Sequence, residues 1–117
     1  MPYILLVMEE QGRRDGRPAE QAQSERDLMN AFVGSLKARG VHLASESLRR
    51  LSDGTRVETR GGKRRVVDGP FAEAKELVGG FFLVDVASRE QAVALAAECP
   101  AVEWASIEVR EVGPCTG

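Results

Sequence analysis

Apolar and polar positions along this 117-residue chain change period several times, and each change marks an element. Tyr3 to Met8 is a short run in which every position is apolar or aromatic, the pattern of a strand buried on both faces. A polar loop with two glycines and a proline follows, from Gln11 to Pro18. Between Ala19 and Arg39 the period lengthens to that of a helix. Leu28, Met29, Phe32, Val33 and Leu36 fall on one stripe, and Gly40 supplies the stop. Val41 to Leu51 predicts a strand anchored by Val41, Leu43, Ala44 and Leu48. Ser52-Asp53-Gly54 is a turn signal. Thr55–Arg60 and Lys63–Val67 predict two strands joined through Gly61-Gly62, a hairpin pattern. A charged helical turn is expected after Gly69-Pro70, and then a strand over Gly80–Val86. Ser88-Arg89-Glu90-Gln91 has the spacing of a capping box, opening a helix that ends near Cys99-Pro100. Trp104–Val112 predicts the last strand.

The resulting order, β-α-β-(β-hairpin)-β-α-β, is that of a ferredoxin-like α+β fold with an added hairpin. It predicts an antiparallel sheet carrying two helices on one face, in a single domain over 1–112 with a flexible tail at 113–117. Alternation adds a further expectation. Tyr3, Leu5 and Val7 oppose Ile4, Leu6 and Met8, and Phe81 and Leu83 oppose Phe82, Val84 and Val86, so both faces of both strands are apolar. Two helices cover one face only. The other would expose several hundred Å2 of apolar surface, more than soluble monomers tolerate, and a homodimer packed sheet to sheet removes it.

Charge narrows the partners. With 16 Lys and Arg against 18 Asp and Glu, the net charge is −2, which argues against nucleic acid. The basic residues from Arg49 to Arg65 are interrupted by Glu58 and lack aromatic neighbours to stack on bases. Two isolated cysteines, Cys99 and Cys115, and an uncharged apolar start without room for a signal segment predict a cytoplasmic protein that neither enters nor spans a membrane. One histidine and two separated cysteines make no metal set, and no phosphate loop or dinucleotide fingerprint is present, so neither a metal nor a cofactor is expected.

The candidate chemistry is sparse. Asp68, before Gly69-Pro70, has the chemistry either of a turn cap accepting from backbone N–H groups just beyond it or of a functional acid or base. Glu73, Lys75 and Glu76 follow it, as pocket residues or as a solvated face, with Phe71 plugging the core. His42 is the only histidine, so any imidazole base must be this residue. If strand alternation holds, His42, Ala44, Glu46 and Leu48 share a face, with His42 and Glu46 about 13 Å apart. On the last strand, Trp104, Ser106, Glu108 and Arg110 alternate with Ala105, Ile107, Val109 and Glu111. Glu108 and Arg110 then join Glu46 in an intersubunit pocket, or form an edge salt bridge.

The run DGPFAEAKELVGGF from Asp68 to Phe81, continued to Val86, resembles the signature of DGPF-domain proteins in the YCII-related family. The likeness extends to Tyr3–Val7, to Ser45-Glu46-Ser47-Leu48 where members often have GEAL, and to Ile107-Glu108-Val109-Arg110, which is similar to a terminal VEVRPV run except that Glu111 replaces proline. The resemblance implies a dimeric α+β barrel. One branch of the wider group is similar to an enzyme with a His–Asp dyad that removes chloride from an aromatic ring. Here the first helix has no histidine and Cys99 stands before Pro100, so that dyad does not carry over. Many DGPF-domain proteins resemble companions of sigma factors, which implies a regulatory setting with a partner the residues do not name.

The leading expectation is a homodimer that binds a small molecule or regulates, with Glu46, Asp68, Lys75, Glu108 and Arg110 as ligand-binding candidates and a small anion as ligand. The alternative is a cofactor-free lyase or isomerase using Asp68 or His42 as the catalytic group, with Arg110 positioning an anionic substrate. A third is an interaction module that docks through its charged hairpin.

Overall fold

In the computed structural model, which describes residues 1–115, the chain runs β1 (Pro2–Glu10), α1 (Ala19–Ala38), β2 (His42–Ser47), β3 (Thr55–Arg60), β4 (Lys63–Asp68), β5 (Glu76–Asp85), α2 (Arg89–Glu98) and β6 (Ser106–Glu111). Short 3-10 turns lie at Leu51–Asp53 and Pro100–Glu103. β2, β5, β1 and β6 form one antiparallel sheet in that order, while β3 and β4 form a separate two-stranded ribbon. This is the expected ferredoxin-like α+β fold with an inserted hairpin. The expected tail at 113–117 runs beyond the described residues at its last two positions.

Strand alternation decides which face the helices cover. Tyr3, Leu5 and Val7 of β1 and Phe82 and Val84 of β5 are buried with Phe32 and Leu36 of α1 and Ala92, Leu95 and Ala96 of α2. Phe32 and Phe82 meet edge to face, with ring centroids 5.1 Å apart. Ile4, Leu6, Met8, Phe81 and Leu83 point to the opposite face and are half-buried in the single chain. α2 begins as its sequence indicates: Ser88 Oγ accepts from the Gln91 N–H at 3.2 Å, and Gln91 Oε1 accepts from the Ala87 N–H at 2.8 Å. Arg39 binds Glu98 through two hydrogen bonds of 3.2 and 2.5 Å, tying the ends of the two helices together. No described helix is long and apolar enough to cross a membrane.

Several boundaries differ from the expected ones, each for a local reason. β6 begins at Ser106 because the Trp104 and Ala105 N–H groups both bond back to Ala101 O, closing the 3-10 turn. β5 begins at Glu76, four residues early, because β1 continues to Glu10 and pairs it with Glu76. The segment from Phe71 to Lys75 is a turn closed by the Ala74 N–H on Phe71 O, with no helix. Leu28 is 48% exposed; the buried stripe of α1 instead continues back from Phe32 and Leu36 to Glu25. A register shift between His42 and Ala44 puts His42 opposite Val84 and Ala44 opposite Leu83. The expected shared face for His42 and Ala44 is therefore wrong: the irregularity turns His42 toward the helices and Ala44 away from them.

Candidate functional site

Two apolar stripes end on a carboxylate, and that is how the site is built. On β1 the buried parity Tyr3, Leu5, Val7 continues to Glu9, which is 6% exposed. On α1 the buried stripe ends on Glu25, which is 9% exposed. A buried carboxylate requires paired donors, and the loop between the two elements supplies three arginines. Arg13 grips Glu25 with both terminal nitrogens, Nη1 to Oε1 at 2.9 Å and Nη2 to Oε2 at 2.6 Å. Arg17 adds Nη1 to Glu25 Oε1 at 2.7 Å, and Gln21 adds Nε2 to Oε2 at 3.2 Å. Arg14 grips Glu9 through Nε and Nη2, at 3.0 and 2.6 Å.

These pairs set both the charge state and the path of the loop. The Arg13 hydrogen bonds, with those of Gln21 and Arg17, hold Glu25 down to about 2 against an ordinary 4.5, despite the burial that opposes ionisation. The same pairing raises Arg13 above the ordinary guanidinium value. Arg14 also donates to Leu48 O at 2.6 Å and to Gly79 O at 3.1 Å, pinning the loop to the end of β2 and to β5. Gly79 is the extra residue of a bulge, since Val7 pairs with Gly80 and Met8 with Val78. Arg13 further lies over the Trp104 ring, 5.3 Å from its centroid.

The loop, α1 and the sheet enclose a cleft of about 410 Å3. Four arginines (Arg13, Arg14, Arg17, Arg26) and three glutamates line it. Glu46 does so from a strand position whose side chain has the parity of the far face, so only the Glu9 and Glu25 carboxylates oppose the arginines and positive charge is in excess. Val7, Met29, Val33 and Phe82 form its apolar wall, with Ser45 and Ser47 at the β2 side. Arg17 Nε is buried there without a hydrogen-bond partner.

Of the residues expected from sequence to bind or react, Glu46 lines this cleft, and Asp68, His42, Lys75, Glu108 and Arg110 do not. His42 Nε2 lies 2.8 Å from Ser45 Oγ, and Ser45 lines the cleft. Asp68 Oδ1 accepts from Thr55 Oγ1 at 3.1 Å across the hairpin, in place of the expected cap onto the following backbone. Gly69 is required for space: a Cβ there would stand 2.3 Å from Leu51 O, and its φ is not in the left-handed region. Phe71 is 9% exposed, outside the main core and under the Arg56 guanidinium, which also pairs with Glu73. Lys75 is exposed, its carbonyl accepting from the Gln11 N–H at 2.9 Å.

Glu46, Glu108 and Arg110 share the sheet face away from the helices, on two neighbouring rungs. Glu46 pairs with Phe81, Phe81 with Leu6 and Leu6 with Glu108, while Ile4 pairs with Arg110. Within one chain Glu46 and Glu108 stand at opposite edges, about 14 Å apart over three strand spacings. Among the described residues no three His, Cys, Asp or Glu side chains cluster as a metal site would require.

Glu9, Glu25, Arg13, Arg14 and Arg17 were absent from the sequence-derived candidates. Their signal was a charged residue continuing an apolar period, at Glu9 on a period of two and at Glu25 seven residues before Phe32. A family model described as YCII-related domain matches residues 1–116, and the chain belongs to that family. No curated protein matches it.

Proposed function

We propose that this member of the YCII-related family is a homodimer that binds a small anionic molecule in the cleft between α1 and the sheet. The observation carrying the ligand's charge is the cleft lining, where four arginines stand against the carboxylates of Glu9 and Glu25 around about 410 Å3 of space. Low dielectric between the apolar wall and the helix strengthens the field of that excess charge. Support for the second copy comes from Ile4, Leu6, Met8, Phe81 and Leu83, an apolar stripe on the face without helices.

A panel of small carboxylates and phosphates in a thermal-shift assay tests the binding. Saturation at a hundredfold excess over Kd stabilises the protein by about 2.7 kcal/mol. No shift with any anion of the panel overturns this reading. Light scattering at micromolar concentration should give twice the chain mass of 12.7 kDa.

A second reading, a cofactor-free lyase or isomerase, is favoured by one contact. The single histidine reaches the cleft through the Ser45 hydroxyl at 2.8 Å, an arrangement that can relay a proton to a bound anion. Turnover of a bound anion that His42→Gln abolishes while binding persists would establish it.

A further inference from the structure

Resting on the anion-binding reading, we propose that the ligand is a monocarboxylate with an apolar body, and that Arg17 anchors it through the Nε–Nη2 edge of its guanidinium.

The three loop arginines differ in what they have left to give. Arg14 uses four of its five N–H groups: Nε and Nη2 hold Glu9, Nη1 holds Leu48 O, and Nη2 also reaches Gly79 O. Arg13 spends both terminal nitrogens on Glu25 and has its guanidinium carbon over the Trp104 ring. The Arg17 guanidinium makes a single hydrogen bond among the described residues, from Nη1 to Glu25. Its Nε is buried with no acceptor, and burying a donor without a partner is costly. In a planar guanidinium, Nε–H and one Nη2–H point the same way, parallel and spaced to meet the two oxygens of a carboxylate. Nη1 lies on the other edge. The Glu25 contact therefore leaves the Nε–Nη2 edge without a protein acceptor and fixes the plane in which a ligand carboxylate must meet it, displacing the atoms that now cover Nε.

The remaining lining sets the class. One unpartnered guanidinium edge serves one anionic group. A second negative group on the ligand would meet Glu9 or Glu25, because the charges of Arg13 and Arg14 are already neutralised by those carboxylates and Arg26 is exposed to solvent that screens its charge. Val7, Met29, Val33 and Phe82 offer an apolar wall in the same cleft, which gains by covering hydrocarbon and has nothing to offer a second polar end. A compact polyanion such as phosphate leaves that wall wet.

Calorimetric titration of the full chain with hexanoate, acetate, hexanol and inorganic phosphate separates these claims. Hexanoate should bind at least tenfold more tightly than each of the other three. Arg17→Lys keeps the charge and loses the paired edge, and should weaken hexanoate at least tenfold while the ligand-free melting temperature stays within a few degrees. On the wild type, the Arg17 Nε–H resonance, assigned by its absence in Arg17→Lys, should move on adding hexanoate. Phosphate binding as tightly as hexanoate overturns the ligand class and leaves the anion-binding reading standing. Equal hexanoate affinity in Arg17→Lys, or an unmoved Nε–H signal at saturation, overturns the anchor. Failure of hexanoate, acetate and phosphate alike to bind removes both the inference and the reading beneath it.

Discussion

The carboxylate of Glu9 occupies the space where a side chain on Gly79 would begin: a Cβ there would stand 1.8 Å from Glu9 Oε1 and 3.0 Å from Arg14 Nη2. A bulged strand residue with no side chain lets a buried ion pair form against the sheet. Gly79→Ala should therefore cost about 1–3 kcal/mol in urea denaturation, because the Glu9–Arg14 pair must shift or the strand must move. Gly34→Ala is the contrasting substitution. Gly34 lies inside α1 with nothing within 4 Å of a built Cβ, so alanine should stabilise by about 0.5–1 kcal/mol. Equal midpoints for the two variants would refute the steric account.

Acid should weaken the protein through Glu25. Its folded value of about 2 lies below the ordinary 4.5, so the folded state binds fewer protons than the unfolded chain between those limits. Its contribution is complete above about 4.5, declines as pH falls, and is gone below about 2. Glu73 and Glu98, held low mainly by Arg56 and Arg39, act in the same direction from the surface. Glu25→Gln should flatten part of the pH profile of stability and lower stability at pH 7 by about 3 kcal/mol, since Arg13 and Arg17 lose their shared counter-charge. A wild-type stability that holds constant from pH 5 to pH 2.5 would contradict the pairing.

Phe81 stands at the centre of the uncovered sheet face, between Glu46 and Leu6. Phe81→Asp should abolish the twofold mass in light scattering, either as a monomer or with loss of the cooperative melt, because a charge is then buried in an apolar interface. A stable dimer in this variant would place the subunit contact elsewhere.

Asp68 holds the hairpin shut through Thr55 on the protein surface. Asp68→Asn retains an acceptor oxygen and should leave the melting temperature unchanged, while Asp68→Ala should cost about 0.5–1 kcal/mol. A large loss of stability in the asparagine variant would mean that the negative charge itself is needed.

The architecture was legible because periods of two and 3.6 survive in the sequence wherever one face is buried, as at Tyr3–Val7 and Met29–Leu36. The Gly61-Gly62 hairpin was legible from glycines that both need positive φ, observed at 59° and 76°. The His42 face was not, since one irregular residue reverses parity and nothing in the local composition marks it. The cleft was missed for a different reason. Arg13, Arg14 and Arg17 look like any polar loop until the fold brings them onto Glu9 and Glu25, and two buried acids at the ends of apolar stripes carry the only advance notice. Asp68 and Lys75 drew notice through a run that resembles a family signature, and that run builds a hairpin base and a turn.

The two-stranded ribbon of β3 and β4 shares no ladder with the four-stranded sheet; the Gly69 N–H meets Gly54 O at its own base, and Arg56 reaches the turn after it. Its opening therefore breaks no ladder hydrogen bond of the four-stranded sheet. The ribbon should exchange its amide protons, lose its tip to a protease or accept inserted residues at Gly61-Gly62 while the loop arginines keep their grip on Glu9 and Glu25. Variation in this segment changes the outer surface of the protein at positions that contribute nothing to the lining of the cleft.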